Sequence, residues 1–137
     1  MAYQTRVLFV CVANAARSQL AEALLRHTDP TNFAAFSAGS TPTAIDPRTL
    51  AALQHLGIDT QGLRSKSLDE LRFDEFEYVI SLCDKSAEEC QHLDFSGEQL
   101  TWNFADPVTS DDPDAFRHCL HEIHERIKMF VLVKTKR

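Results

Sequence analysis

One short segment near the N-terminus constrains the fold more than any other part of the chain. An apolar run at residues 7–10 ends at Cys11, and Arg17 and Ser18 then open a stretch with helical apolar spacing. The run predicts a buried strand, followed by a short loop and a helix N-terminus. Loop amides and the positive end of a helix bind anions and stabilise a thiolate. The segment therefore predicts an oxyanion site with a nucleophilic cysteine.

Two side chains beside Cys11 suit this chemistry. The planar guanidinium of Arg17 can bind two oxygens of a tetrahedral oxyanion. The Ser18 hydroxyl can donate a hydrogen bond to the sulfur, which favours its charged form. In the alternative interpretation, Cys11 is an ordinary buried thiol and Arg17 lies on a solvated helix face. The strand–loop–helix context favours the anion site.

Four segments are predicted as β-strands, at residues 6–10, 33–37, 78–82 and 101–104, with Gly39 ending the second. Helical patterns lie between them, which is typical of a parallel sheet with helices on both faces. The predicted fold class is therefore α/β, a three-layer domain with a four-stranded parallel sheet. Ligands of such sheets bind beyond the carboxyl ends of the strands.

Capping residues mark the predicted helices. Asp46 followed by Pro47 predicts a helix start, because Asp caps well and Pro fits the first helical position. The predicted buried stripe of this helix is Leu50, Leu53 and Leu56. Ser67 and Glu70 form a capping box for a short helix. The last helix is predicted from about Asp114, and its apolar stripe is Phe116, Leu120, Ile123, Ile127 and Phe130.

Length and charge limit the classes of function. With 137 residues the chain is long enough for one core and too short for two domains, so we expect a single domain over residues 1–137. A net charge of −6 argues against nucleic acid and anionic membranes as partners. We identify no membrane span and no signal peptide. Four cysteines in an ordinary composition indicate a reducing, cytoplasmic setting.

Three histidines surround one cysteine near the C-terminus. His118, His121 and His124 recur every third residue beside Cys119. A spacing of three moves around a helix and does not keep one face. A solvated helix face therefore explains the histidines better than a metal site, and we expect neither metal nor cofactor. Cys119 adjoins the apolar stripe and is predicted to be a buried, unreactive thiol.

Residues 7–22 resemble the phosphate-binding loop of the low-molecular-weight protein tyrosine phosphatase superfamily, which also contains the cysteine-relay arsenate reductases. Further matching stretches lie at residues 36–39, 46–47, 57–59, 79–83 and 105–107. The resemblance implies that Cys11 is the nucleophile, Arg17 the oxyanion clamp and Asp106 the general acid. Asp106-Pro107 is otherwise a common turn pair. The implied oxyanion-binding loop is Val12, Ala13, Asn14, Ala15, Ala16 and Arg17.

The loop departs from the family pattern at two positions. Ala13 stands where members often have Gly, and Ala16 where many have a second Cys that serves as a local redox partner. Neither change touches the nucleophile. Asn14 matches the asparagine that orders the loop by hydrogen bonding.

The resemblance also bears on whether a cation is bound behind the loop. Glu22 and Ser37 match positions that help hold a potassium ion in some arsenate reductases, whereas Lys66 stands where those proteins carry an acid. A lysine ammonium can take the place of the ion, so we expect no bound potassium. Otherwise, Glu22 and Lys66 are routine surface residues.

A second pair of cysteines, Cys83 and Cys90, is separated by six residues. This spacing suits neither a zinc knuckle nor a Cys-x-x-Cys redox pair. From the residues alone, the interpretation that these are two unrelated thiols is as good as the interpretation that they form a functional pair. The segment is similar to the redox segment of thioredoxin-coupled arsenate reductases, in which the first cysteine attacks the nucleophilic one and the second resolves the disulfide. We therefore expect residues 83–93 to be looped or marginally helical, because a disulfide tolerates little stretch.

Three functions remain open. The first is reduction of arsenate to arsenite by a Cys11/Cys83/Cys90 relay with residual phosphatase activity, which requires thioredoxin, or glutathione and glutaredoxin, as external reductant. The second is phosphomonoester hydrolysis through a phosphocysteine. Against it, Val108 stands where tyrosine phosphatases usually place an aromatic residue. The third is a non-enzymatic redox or oxyanion sensor. The Cys83/Cys90 pair favours the reductase.

Overall fold

Strands and helices alternate along the chain, as the sequence pattern predicted. The computed structural model describes residues 4–71, 74–90 and 97–135, with the backbone alone at positions 89 and 90. The elements are β1 (Thr5–Cys11), α1 (Arg17–Thr28), β2 (Phe33–Gly39), α2 (Pro47–His55), α3 (Leu68–Leu71), β3 (Tyr78–Ser81), α4 (Asp84–Cys90), β4 (Glu98–Thr101), a 3₁₀ turn (Pro107–Thr109) and α5 (Ala115–Thr135).

The four strands form one parallel sheet in the order β2-β1-β3-β4. Strand β1 pairs with β2 along its full length, ending with Cys11 opposite Gly39, and with β3 up to Val10 opposite Ser81. The predicted α/β class with a four-stranded parallel sheet is therefore confirmed. Since β1 and β3 end at the same edge, the topology brings Cys11 and Cys83 to that edge.

Both faces of the sheet are covered. Successive side chains of a strand point to opposite faces, so Val7 and Phe9 join the core under α1 and α5, whereas Leu8 and Val10 pack in a second cluster. Such double burial explains why β1 has a continuous apolar sequence. The predicted stripe of α5 is buried throughout: Phe116, Leu120, Ile123, Ile127 and Phe130.

Two predicted strand boundaries are wrong. The fourth strand is Glu98–Thr101 and not residues 101–104, because this edge strand is mostly exposed and lacks an apolar signal. The apolar signal on which the prediction was based comes from Trp102, which lies just beyond the strand and is buried in the core. Gly39 does not end the second strand early. It pairs with Cys11 inside the sheet, and its amide donates to the Lys66 carbonyl at 2.9 Å.

The predicted stripe of α2 is only partly correct. Leu53 is fully buried and Leu50 half-buried, but Leu56 is 44% exposed because the helix ends at His55. Gly57 then adopts a left-handed φ of 71° and turns the chain, so that Ile58 enters the core instead.

The segment predicted to be looped or marginally helical, residues 83–93, contains helix α4 up to Cys90. Positions 91–93 lie outside the described residues. Within the described ranges, none of the helices combines the length and apolar character needed to cross a membrane.

Candidate active site

The loop between β1 and α1 is held by its carbonyl groups. The Val12 and Ala13 carbonyls accept from the amides of Thr41 and Thr43 at 2.9 and 3.0 Å. The Ala15 carbonyl accepts from the Thr49 hydroxyl at 2.9 Å. In the part of the chain that the structure describes, the amides of residues 13–16 have no hydrogen-bond partner. These free donors precede the N-terminus of α1, which is the arrangement that binds anions.

Asn14 links the loop to the nucleophile. It is fully buried with a φ of 51°, a left-handed conformation that asparagine tolerates. Its Oδ1 accepts from the amide of Lys66 at 2.8 Å and from Gln19 Nε2 at 3.0 Å. Its Nδ2 donates to Ser18 Oγ at 2.7 Å, and that oxygen lies 2.8 Å from Cys11 Sγ. Because Ser18 accepts from Asn14, its own hydrogen is free to point at the sulfur.

Gly39 supports the loop from the neighbouring strand. A Cβ atom at this position would lie 2.5 Å from the Val12 carbonyl oxygen and 2.9 Å from the Asn14 amide. Only a residue without a side chain allows the loop to lie this close to β2.

Arg17 and Asp106 meet at the mouth of the loop. Arg17 Nη1 donates to the Phe104 carbonyl at 2.8 Å, and Nη2 lies 3.9 Å from Asp106 Oδ2. The other oxygen of Asp106 accepts from the Val108 amide at 3.0 Å. The carboxylate is therefore fixed through one oxygen while the other lies near Arg17, and both residues line a pocket. This pocket has a volume of about 170 Å³, and its lining includes Cys11, Ala13, Arg17, Thr43, Asp46 and Asp106.

A second carboxylate in the pocket, Asp46, was identified from the sequence only as a helix cap. It caps α2 through the Arg48 amide and accepts two hydrogen bonds from the Arg48 guanidinium at 3.0 and 2.7 Å. These side-chain bonds lower the pKa of Asp46. Because Arg48 holds Asp46 as an anion, Asp46 is a poor proton donor.

Among the residues whose side chains are described, Cys83 is not part of the pocket that Cys11 lines. Cys83 is 8% exposed. Its Sγ lies 3.2 Å from Ser86 Oγ, and the single hydrogen of that hydroxyl has two carbonyl acceptors within reach, Cys83 at 3.0 Å and Val10 at 3.3 Å. Ser86 thus lies between Cys83 and the end of β1, one residue before the nucleophile. Cys90 is the last residue of α4, and its side chain lies outside the described residues.

Glu22 and Lys66 form a buried pair behind the loop and are not the surface residues of the alternative interpretation. Glu22 Oε1 accepts from Ser37 Oγ at 2.7 Å and lies 3.7 Å from Lys66 Nζ, and Oε2 accepts from Arg26 at 2.8 Å. Burial lowers the pKa of the Lys66 ammonium, and the Glu22 carboxylate opposes this effect. These residues do not fit a potassium ion, because the ammonium already faces the carboxylate and repels a second cation.

The remaining cysteine and the histidines lie on α5. Cys119 is buried, and burial raises the pKa of its thiol to about 12. His118 and His121 are exposed, and His118 Nδ1 lies 3.0 Å from an Asp112 carboxylate oxygen. Among the described residues, no group of three or more His, Cys, Asp and Glu side chains is arranged to hold a metal ion.

With this geometry established, comparison with known proteins identifies the family. Residues 6–137 match the low molecular weight phosphotyrosine protein phosphatases. The chain belongs to this family.

Several similar members of the family are arsenate reductases. The arsenate reductase of Halalkalibacterium halodurans is 29% identical over 129 residues, covering 90% of this chain and 93% of that protein. The crystal structure of an Archaeoglobus fulgidus arsenate reductase matches with a TM-score of 0.78 and 31% identity, covering 91% of this chain and 98% of the other. A thioredoxin-dependent arsenate reductase of Corynebacterium glutamicum matches with a TM-score of 0.74 and 28% identity, covering 98% of this chain and 64% of the other.

Proposed function

We propose that this member of the family is an arsenate reductase that works through a relay of Cys11, Cys83 and Cys90. The observation that carries the proposal is the position of Cys83, just beyond β3 and in contact with Ser86, which lies within hydrogen-bond distance of the strand that ends in Cys11. Hydrolysis through a phosphocysteine needs only one thiol. A second thiol at the same sheet edge serves a reaction that transfers two electrons. The similarity to arsenate reductases supports this choice.

The first step forms a bond between Cys11 and arsenic. The free loop amides and the Arg17 guanidinium bind the arsenate oxygens and stabilise the negative charge. The Cys11 thiolate attacks arsenic, and one arsenic–oxygen bond breaks. Asp106 donates a proton to the leaving oxygen, which departs as water. The Ser18 hydroxyl stabilises the thiolate before the attack.

The next two steps move the electrons. The Cys83 thiolate attacks the Cys11 sulfur, and the sulfur–arsenic bond breaks with its electron pair left on arsenic, which departs as arsenite. Cys90 then attacks the Cys83 sulfur and releases the Cys11 thiolate, which leaves a Cys83–Cys90 disulfide. An external dithiol of the thioredoxin type reduces this disulfide, as the similarity to a thioredoxin-dependent reductase suggests. Glutathione with glutaredoxin is the alternative reductant.

A single turnover tests the relay. The fully reduced protein is mixed with arsenate without added thiol, and non-reducing peptide mapping follows. We expect one arsenite per chain and a Cys83–Cys90 disulfide, and we expect Cys83→Ser to produce no arsenite. Cys119→Ala is the matched control, because this buried thiol lies outside the pocket lining and should not take part. Free thiols at Cys83 and Cys90 with no arsenite would contradict the relay.

A phosphomonoesterase is the second candidate, because Cys11, Arg17 and Asp106 form a set that is independent of Cys83. Among the described residues that line the pocket none is aromatic, so a phosphotyrosine ring has no stacking partner there. Hydrolysis of p-nitrophenyl phosphate that survives Cys83→Ser, in a protein that forms no arsenite, would favour this candidate. Failure to convert either oxyanion, with reversible oxidation of Cys83 and Cys90, would favour a sensor.

A further inference from the structure

The buried Lys66 has no role in the mechanism above. It is the one buried lysine among the described residues, with a side chain 10% exposed. Its Nζ donates to the Arg64 carbonyl at 2.8 Å and lies 3.7 Å from Glu22 Oε1. A buried ion pair contributes little net stability, because both charges lose their hydration. Its presence directly behind the anion loop therefore calls for another explanation.

The backbone of Lys66 is bound to the loop and to the strand behind it. Its amide donates to Asn14 Oδ1 at 2.8 Å, and its carbonyl accepts from the Gly39 amide at 2.9 Å. Asn14 in turn donates to Ser18, which contacts the Cys11 sulfur. A shift of Lys66 therefore displaces Asn14 and, through it, the groups around the nucleophile.

The charges behind the loop leave a positive excess. The Glu22 carboxylate faces two cations, Lys66 at 3.7 Å and Arg26 at 2.8 Å. Arg26 is 44% exposed and therefore screened by water, whereas Lys66 is enclosed. Arg26 therefore binds Oε2 of Glu22 from the solvent side, and Lys66 is the enclosed cation that faces Oε1.

We propose that Lys66 is a positioning residue whose ammonium acts as a built-in cation, neutralising Glu22 and holding Asn14 so that the anion loop is ordered without a bound metal ion. This role concerns the loop alone and applies to a reductase and a phosphatase alike. The proposal is therefore tested without arsenate and does not depend on the relay.

Removal of the ammonium should convert the site into a cation site. The groups left behind are the Glu22 carboxylate, the Arg64 carbonyl and the Ser37 hydroxyl, which are the hard oxygen ligands that alkali and alkaline-earth cations prefer. Lys66→Ser opens this space to a small cation. Lys66→Met removes the same charge but fills the space with an apolar chain.

The readout is the alkylation of Cys11 by iodoacetamide, followed by mass spectrometry of its peptide, and the protection that inorganic phosphate gives. Each protein is measured in potassium chloride and in tetramethylammonium chloride at equal ionic strength, because the larger cation cannot enter the space. We expect the wild type to behave identically in both salts. In Lys66→Ser, phosphate protection should weaken about tenfold in tetramethylammonium, the order of effect of residues that orient a site. Potassium should restore it.

Lys66→Met is the matched control and should show weak protection in both salts. Wild-type protection of Lys66→Ser in tetramethylammonium would overturn the proposal, and so would equal impairment of Lys66→Ser in the two salts, which indicates packing alone. If Lys66→Ser does not fold, the double variant Glu22→Gln/Lys66→Met replaces both charges with neutral groups of similar shape, a change that buried pairs often tolerate. Because no uncompensated carboxylate remains in this double variant, near-wild-type phosphate protection would support the neutralising role, and protection that is lost in both salts would overturn it.

Discussion

The proposed relay requires helix α4 to open, and a substitution on its exposed face should change the rate of disulfide formation. Cys83 precedes α4 and Cys90 ends it. The two cysteines are seven positions apart, and because an α-helix rises about 1.5 Å per residue, their Cα atoms are separated by roughly 10 Å. A disulfide requires less than about 7 Å between the same atoms. The helix must therefore unwind before Cys90 reaches the Cys83 sulfur.

Glu88 offers the perturbation, because it lies on the exposed side of α4. Glycine in an exposed helix position is less favourable than alanine by about 1 kcal/mol. If opening is a fast equilibrium before the chemical step, this difference raises the open population about fivefold. The Cys83–Cys90 disulfide should therefore form about fivefold faster in Glu88→Gly than in Glu88→Ala.

A time course measures the rate of disulfide formation in both variants. Samples taken at increasing times during a single arsenate turnover are quenched by rapid alkylation, and the disulfide is quantified by peptide mapping. The alkylation rate of Cys11 in the absence of arsenate serves as the internal control and should be equal in the two variants. Equal rates of disulfide formation, or a slower glycine variant, would refute the requirement for opening.

Three further substitutions test the site and the core. Gly39→Ala places a Cβ atom 2.5 Å from the Val12 carbonyl oxygen, so we expect weaker phosphate protection of Cys11 and a loss of about 1–3 kcal/mol in urea unfolding. Asp106→Asn removes the proposed proton donor and should slow arsenite formation by about 100-fold or more, whereas phosphate protection of Cys11 should persist because the loop and Arg17 are intact. Burial raises the pKa of the Cys119 thiol from 9.0 to about 12, so the folded protein holds this proton more tightly than the unfolded chain. The resulting stability is fully present below pH 9 and is lost as the pH rises towards 12. Urea unfolding of Cys119→Ala should therefore depend less on pH between these values.

The anion loop could be predicted because its signals are local. A buried strand, a cysteine, a short loop and a helix start follow one another within residues 7–22. The fourth strand could not be placed in the same way. Its residues are mostly exposed at the sheet edge, and the stronger apolar signal of Trp102 belongs to the core beyond the strand. Local pattern indicates burial more reliably than it indicates hydrogen-bond pairing.

The residues that hold the loop are distant in sequence and could not be found from spacing. Thr49 reaches the Ala15 carbonyl across 34 positions, and the Lys66 amide reaches Asn14 across 52. Asp46 has a sequence signal as a helix cap, but its place in the pocket depends on how α2 packs beside the loop. Sequence therefore predicted the groups proposed to react and Asn14, and the structure added the distant partners that hold the loop, Thr49 and the Lys66 amide.

The contacts of α4 show why the state of the relay pair cannot be read from the sequence. An isolated helix of seven residues is unstable in water, because nucleation fixes several residues for one hydrogen bond. Here Ser86 is fully buried, and its Oγ lies 3.0 Å from the Cys83 carbonyl, 3.2 Å from Cys83 Sγ and 3.3 Å from the Val10 carbonyl. The same few contacts therefore keep α4 folded and keep Cys83 away from Cys90. Loss of these contacts releases both at once, so the proposed relay predicts that oxidation of the pair is coupled to local unfolding of one short segment.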